Sequence, residues 1–567
     1  MGYVLDNNLY VADLETGTVR SVTTDGSPDI LNGVFDYVTA QAFRNANGWH
    51  WSPDGRKIAF WRLDIAHMRV FYIVDELSKY NRVLPLKYSE VGERSALLRV
   101  GVADVDTGNT TWMDAGDEID VYIPRIGWTN SSKTLTIQRL NRSHKKLELL
   151  FGDVETGETR VVVTDTDPSW VDVTNDLIFF TEQDRFVWTS EKSGYRHAYL
   201  YDYDGKVITQ LTRGDWEISS LAALDDEGGW LYFYGKKDSF IDQHVYRVRL
   251  DGTDFDKASQ EPGWYEWNVS PDGKTVIESF SDARTLPRVT LREANGRQLR
   301  VLQQNRIEAL GKYRMPHPEF VTVTTSDGAV LNAYMIKPSD FDPNKKYPVV
   351  AYGYGNAGSQ VVVNQWEDTR GLWHRYMADK GYIVFALDNR TTAGRGKAAR
   401  NLTYGHYAKW ALHDQLEGVK YLKSLPYVDD SRLGFWGWSG GGYLACLLMT
   451  KGAPHFKTAV SVAPVIDLER YMSIGVERWM GSLEDNEEGY ASTNLLNYAD
   501  KLQGNLLLVH GTGDENVKFA FTLQFANALI AENKQFDMMV YPNRHHGIRD
   551  ARLHLFTKIA NYFFKNL

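Results

Sequence analysis

The stretch "FWGWSGGGYLACLL", Phe435 to Leu448, sets Ser439 among four glycines and then runs into an apolar helix pattern. Gly437, Ser439 and Gly441 fit G-x-S-x-G, the turn in which a strand passes sharply into a helix and holds a serine oxygen out at its tip. Glycine costs backbone entropy, so it is placed where a side chain would collide or where φ must be positive. Alone, the pattern is equally that of a glycine-rich turn without chemistry. Two further strand ends carry what a serine nucleophile needs: "NLLLVHGTGDENV" delivers Asp514 and "MMVYPNRHHGI" delivers His546. A serine hydroxyl is a poor nucleophile until an imidazole takes its proton, and a carboxylate must hold that imidazole in the working tautomer. The chain order Ser, Asp, His is that of α/β-hydrolases. Glu515 and His545 are the rival acid and base. His545 is expected to face solvent, because neighbouring side chains there point apart.

Such chemistry also requires donors for a developing oxyanion. The Gly440 N–H follows the nucleophile directly, and a second donor is expected from "AYGYGNAGSQ", where Tyr354 offers a hydroxyl. Cys446 is the one cysteine of the chain, so an internal disulfide and a cysteine metal cluster are excluded. Its place in the apolar helix reads as a buried structural thiol. No metal or cofactor is expected.

Positioning three groups at three strand ends requires a particular scaffold. From about residue 313 to 567, apolar strand-like runs such as "YPVVAYGYG", "GYIVFALD", "RLGFWGW", "TAVSVAP" and "FDMMVYP" alternate with helical periodicity, as in "DQLEGVKYLKSL" and the final "RLHLFTKIANYFFKNL". That alternation predicts an α/β-hydrolase domain with a doubly wound, mostly parallel sheet, whose functional loops lie at the carboxyl ends of the strands.

Residues 1–312 follow another grammar. "DLETG" begins at Asp13, "DVDTG" at Asp104 and "DVETG" at Asp153, with turn-like "DYDG" at Asp202 and "LDGTD" at Leu250. A second mark recurs between them: "WSPDGRKIAFW" at Trp51, "WTNSSKTLTI" at Trp128, "WTSEKSG" at Trp188 and "VSPDGKTVI" at Val269. Short strands broken by such turns at an interval of roughly fifty residues predict a β-propeller of about six or seven blades. The chain reads as starting inside that array. A β-sandwich with chance turns is the competing fold.

A net charge of −10 without a basic stripe argues against nucleic acid as a partner. No run approaches the apolar length of a membrane span. The opening "MGYVLDNNLYVADLETG" reads as a strand and turn, not as a secretion signal. With one cysteine, a reducing compartment and a periplasmic protein without disulfides fit equally.

A propeller followed by an α/β-hydrolase carrying "GWSGGGY", "HGTGDENV" and "HHGI" resembles the prolyl oligopeptidase family of serine peptidases, and within it the dipeptidyl peptidase IV subfamily. The similarity extends over nearly the whole chain, including "WTSEKSGYRHAYLYD" and "APVIDLERYMSIGVERWMG". It implies Ser439, Asp514 and His546 as the triad, with Tyr354 and the Gly440 amide as oxyanion hole. It also implies an Asn516 side chain near the substrate carbonyl and a site facing the propeller cavity. Three departures bear on specificity. Where the family carries two glutamates that bind the free amino terminus of the substrate, the matching stretch "NGVFDYVTAQAF" has Gln41 and Ala42. An ammonium there loses charge-assisted hydrogen bonds. In the pocket that grips proline, Val465, Tyr471 and Val517 match, but Leu468 and Gly475 stand where relatives carry Trp and Tyr. The opening propeller segment that supplies an arginine facing the substrate is also expected to be missing.

The expected function is therefore serine hydrolysis of short peptides through an acyl-enzyme, with relaxed or altered specificity. An esterase or amidase acting on a non-peptide acyl compound and a non-catalytic propeller binding protein are the alternatives. The resemblance also implies a homodimer.

Overall fold

The repeated Asp-x-x-Thr-Gly mark is one turn used in successive sheets. At Asp13, Asp104 and Asp153 a carboxylate oxygen accepts the backbone N–H groups two and three residues on, at 2.8–3.1 Å. The closing Gly17, Gly108 and Gly157 have φ of +72°, +75° and +80°, where a side chain is disfavoured. Each turn joins the last two strands of its sheet, as Lys146–Asp153 to Thr159–Thr166. At the second mark, the Ser52 hydroxyl donates to Asp54 Oδ1 at 2.7 Å and accepts the Lys57 N–H at 2.9 Å. "WTSEKSG" does not belong to that series: it joins Arg185–Ser190 to His197–Asp202, the second and third strands of their sheet. Trp188 is there to pack and to donate to Asp165 Oδ2 of the neighbouring sheet at 2.9 Å.

The computed structural model describes residues 1–270 and 273–567, so Pro271 and Asp272 of "VSPDG" lie outside the described residues. Up to Gln303 the described chain forms six propeller sheets: one of three strands, one of five and four of four. A hairpin, Val70–Asp75 with Arg82–Lys87, pairs only with itself. A short helix, Tyr37–Phe43, is capped by Asp36, whose Oδ1 accepts the N–H groups of Val38 and Thr39. It ends at Arg44 in the left-handed region, φ 56°.

From Glu319 the grammar changes to an eight-stranded sheet. Glu319–Thr324, Val330–Ile336 and Ile383–Leu387 pair antiparallel. From Ile383–Leu387 onward every pairing is parallel, through Tyr347–Tyr352, Val428–Trp438, Thr458–Val462, Asn505–Gly511 and Asp537–Tyr541. Successive residues of a strand point to opposite faces, and both faces here are buried. Phe435, Leu506 and Leu508 join one core with Leu444 and Phe525, while Trp436, Leu507 and Val509 join the other with Phe556 and Phe563. Among the described residues no helix is long and apolar enough to cross a membrane.

Candidate active site

Ser439 sits between Val428–Trp438 and the helix Gly440–Met449, with φ 60° and ψ −118°. A non-glycine residue rarely adopts such a backbone, and its neighbours must hold it there. The Ser439 N–H donates to Val462 O at 2.8 Å and its carbonyl accepts the Tyr443 N–H at 2.9 Å. The glycines around it are required by collision, not by φ. A Cβ on Gly437 would lie 2.1 Å from Gly441 O, on Gly440 2.4 Å from Asn356 Oδ1, and on Gly442 2.6 Å from Val462 O. The cluster is thus the space into which the elbow folds.

Asp514 follows Asn505–Gly511 and is 1% exposed. Its Oδ1 accepts the N–H groups of Asn516 and Val517 at 2.9 and 2.8 Å. Its Oδ2 accepts His546 Nδ1–H at 2.7 Å and lies 3.1 Å from His510 Nε2. Burial pushes this carboxyl up, but hydrogen bonds from His510 and His546 outweigh it and hold the group at about 2. Donation from Nδ1 leaves His546 Nε2 with the lone pair a general base needs. A side chain ties the two loops together: Trp438, directly before Ser439, donates its indole N–H to the His546 carbonyl oxygen at 3.0 Å. The rivals form a pair of their own, His545 Nδ1 to Glu515 Oε2 at 2.7 Å, with the His545 side chain 75% exposed.

His510 is a residue that the sequence reading passed over. It is fully buried, with Nδ1 2.7 Å from Thr522 Oγ1 and Nε2 2.8 Å from Val517 O. A carbonyl only accepts, so Nε2 carries the hydrogen and Asp514 is held from both sides. The i, i+4 spacing of "HGTGD" was the available signal.

A cavity of about 740 Å³ lies between the two halves of the chain. Ser439, Gly440, Tyr354 and Asn516 share its wall. Val465, Leu468, Tyr471 and Gly475 line it beside them, and Gln41 and Ala42 reach it from the propeller helix. Val517 is the exception. It is 0% exposed and packs in the hydrolase core, because its N–H is turned to Asp514 and its carbonyl to His510. The Tyr354 hydroxyl has no hydrogen-bond partner among the described residues and is free to donate into the cavity. Asn516 Oδ1 accepts the Tyr471 O–H at 2.6 Å, which leaves its amide N–H groups for a ligand. Five arginines not singled out from the sequence, Arg44, Arg125, Arg196, Arg400 and Arg478, line the same space.

Comparison with known proteins agrees with this architecture. Residues 1–287 match the family model described as the dipeptidyl peptidase IV (DPP IV) N-terminal region, and residues 371–567 match the prolyl oligopeptidase family. A probable dipeptidyl-aminopeptidase B of Emericella nidulans is 29% identical over 99% of this chain and 66% of its own length. A probable dipeptidyl peptidase 4 of the same organism is 27% identical over 100% of this chain and 77% of its own length. The chain spans 63–66% of the length of the first relatives it matches. The crystal structure of Porphyromonas gingivalis dipeptidyl peptidase 4 superposes with a TM-score of 0.96 at 33% identity, covering 100% of this chain and 81% of that one. A putative dipeptidyl aminopeptidase IV from Bacteroides ovatus gives 0.92 at 31% identity, covering 100% and 82%. The chain belongs to the prolyl oligopeptidase family, in its dipeptidyl peptidase IV subfamily.

Proposed function

We propose that this chain is a serine peptidase that releases short amino-terminal fragments through an acyl-enzyme, with a specificity altered at the amino end of the substrate. The observation that carries the reading is the 2.7 Å Asp514–His546 bond beside a strained Ser439 that opens onto the cavity. Ser439 Oγ attacks the scissile carbonyl as its proton passes to His546 Nε2, and Asp514 stabilises the imidazolium formed. The oxyanion takes hydrogen bonds from the Gly440 N–H and the Tyr354 O–H. The C–N bond then breaks, and the departing amine leaves with the proton from His546. Water, deprotonated by the same imidazole, hydrolyses the ester and restores Ser439.

The peptidase names of the relatives support peptide over simple ester as substrate, and the non-catalytic alternative gains no support from them. The test is fluorophosphonate labelling of Ser439 alongside turnover of dipeptidyl p-nitroanilides. Labelling with turnover is expected. Labelling with hydrolysis of simple esters alone would transfer the chain to the esterases. Homodimerisation, which the family resemblance supports, belongs to the same proposal and is read by sedimentation velocity.

A further inference from the structure

The end of the cavity where a substrate amine would arrive is positive. The propeller helix Tyr37–Phe43 packs against the hydrolase helix Ser473–Met480. The first presents Gln41, Ala42 and then Arg44, and the second presents Gly475 and Arg478. The one acid of the propeller helix region, Asp36, is 5% exposed and spent as the helix cap. Six cations line the cavity (Arg44, Arg125, Arg196, Lys236, Arg400 and Arg478) against two carboxylates, Asp172 and Glu217.

Those two carboxylates are already engaged. Glu217 accepts the N–H groups of Gly394 and Gly396 at 2.8 and 3.0 Å and lies 3.5 Å from Arg400. Asp172 binds Arg400 at 2.5 Å, accepts the Trp170 indole N–H at 2.9 Å and lies 3.8 Å from Arg478. Glu191, behind the wall, is shared by Arg196, Lys397 and Arg400. Neither Arg44 nor Arg125 has a carboxylate partner among the described residues. Arg125 is held by neutral oxygens of Asn45, Asn175, Pro124 and Phe43, and Lys236 by those of Gln360 and Phe240. The Nε atoms of Arg400 and Arg478 and His144 Nε2 are buried on this wall without a hydrogen-bond partner. Arg400 is 6% exposed and His144 2%.

Guanidinium groups with spare donors bind a carboxylate in a planar, two-pronged way, whereas an ammonium placed among them meets like charge. We infer that the Arg44–Arg478 seam selects substrates that carry a carboxylate, not a free ammonium, at the end preceding the scissile bond. The inference deepens the peptidase reading and rests on it. A dicarboxylic acyl cap and an acidic side chain one residue further from the scissile bond offer the same chemistry.

The test uses three p-nitroanilides of one length, succinyl-Ala, its methyl ester and β-alanyl-Ala, which end in carboxylate, neutral ester and ammonium. Acetyl-Glu-Ala against acetyl-Gln-Ala separates the side-chain source from the cap. In the wild type the carboxylate is expected to exceed the ester by roughly tenfold to a hundredfold in kcat/KM, from one or two charge-assisted hydrogen bonds, and the ammonium to fall below the ester. Arg44→Glu should bring the carboxylate-to-ester ratio to about one or below and raise the ammonium. Ratios within one variant cancel any general loss of activity. Equal carboxylate and ester rates, or a preferred ammonium, would overturn the inference and leave the peptidase reading in place. If none of the compounds is hydrolysed and Ser439 resists labelling, the peptidase reading fails instead. Calorimetric binding of the same compounds to Ser439→Ala then decides the charge preference without turnover.

Discussion

Arg142, in the turn between two propeller strands, donates from Nε and a terminal nitrogen to the two carboxylate oxygens of Glu477 on the hydrolase helix, at 2.9 and 2.8 Å. The Glu477 side chain is 5% exposed and also accepts the Gly92 N–H at 2.9 Å. Through this pair the propeller grips the helix that carries Gly475 and Arg478. Nearby, the hydroxyls of Ser89, Ser95 and Ser473 meet at 2.9–3.3 Å across the same junction.

Removing one partner leaves the other buried and charged, which costs about 3–5 kcal/mol where burial is complete and less where water reaches. Arg142→Ala is therefore expected to lower the thermal midpoint and to raise KM more than it lowers kcat, since the helix lines the cavity and carries no member of the proposed triad. Calorimetry with steady-state kinetics checks it. An unchanged midpoint would mean that water replaces the guanidinium freely.

Ser439→Ala should abolish turnover and fluorophosphonate labelling. His546→Ala should be nearly as damaging, because members of a triad act as one unit and their losses do not add. His545→Ala should be mild, since that ring is paired with Glu515 on the surface. Reversed results for the two histidines would assign the base to His545.

Tyr354→Phe removes the side-chain donor proposed for the oxyanion and little else, because the hydroxyl bonds no other group among the described residues. The expected loss is about 10²–10³ in kcat with KM nearly constant. Unchanged kcat would give the second donor to the backbone of the "GYGNAG" loop.

Asp514 predicts an acid limb in stability. Its carboxyl lies at about 2 in the fold against an ordinary 3.8. A depressed carboxyl stabilises the fold fully above the unfolded value, by on the order of 2 kcal/mol, and that contribution disappears as pH falls from about 4 through 2. Urea midpoints measured across this window should fall more steeply for the wild type than for Asp514→Asn. Parallel curves would place the acid sensitivity in other carboxylates.

The parts of this site legible in the sequence are those whose chemistry is local. The elbow, the acid turn and the base loop each sit within a dozen residues, and strand alternation locates all three at one edge of a sheet. Turn marks likewise revealed the propeller, because an Asp carboxylate capping two N–H groups before a left-handed glycine leaves the same short signature each time. Trp188 misled because an indole packed between blades resembles an indole at a turn. Val517 was expected on the cavity wall by position, but two backbone hydrogen bonds decide which way it faces. The positive wall was not legible, because its cations come from separated points of the chain, Arg44 and Arg125 in the propeller and Arg400 and Arg478 in the hydrolase. Only the fold adds them together.

Gly475 offers the most direct test of the pocket itself. It lies on the cavity beside Val465, Leu468 and Tyr471, and contributes no side chain of its own to that wall. Apolar discrimination is worth about 1–3 kcal/mol per packing group, so the wild type should accept Ala and Phe before the scissile bond within roughly a hundredfold of Pro. Gly475→Tyr supplies an aromatic wall. A Cβ there comes within 3.2 Å of Met472 Cγ, a flexible side chain that can move aside. The variant is expected to lose Phe substrates by about tenfold or more while keeping Pro, whose ring gains a packing surface. The readout is the ratio of kcat/KM values for matched Pro, Ala and Phe p-nitroanilides, with near-ultraviolet circular dichroism as the check on folding. A folded variant whose ratios match those of the wild type would show that the residue before the scissile bond does not rest against this helix.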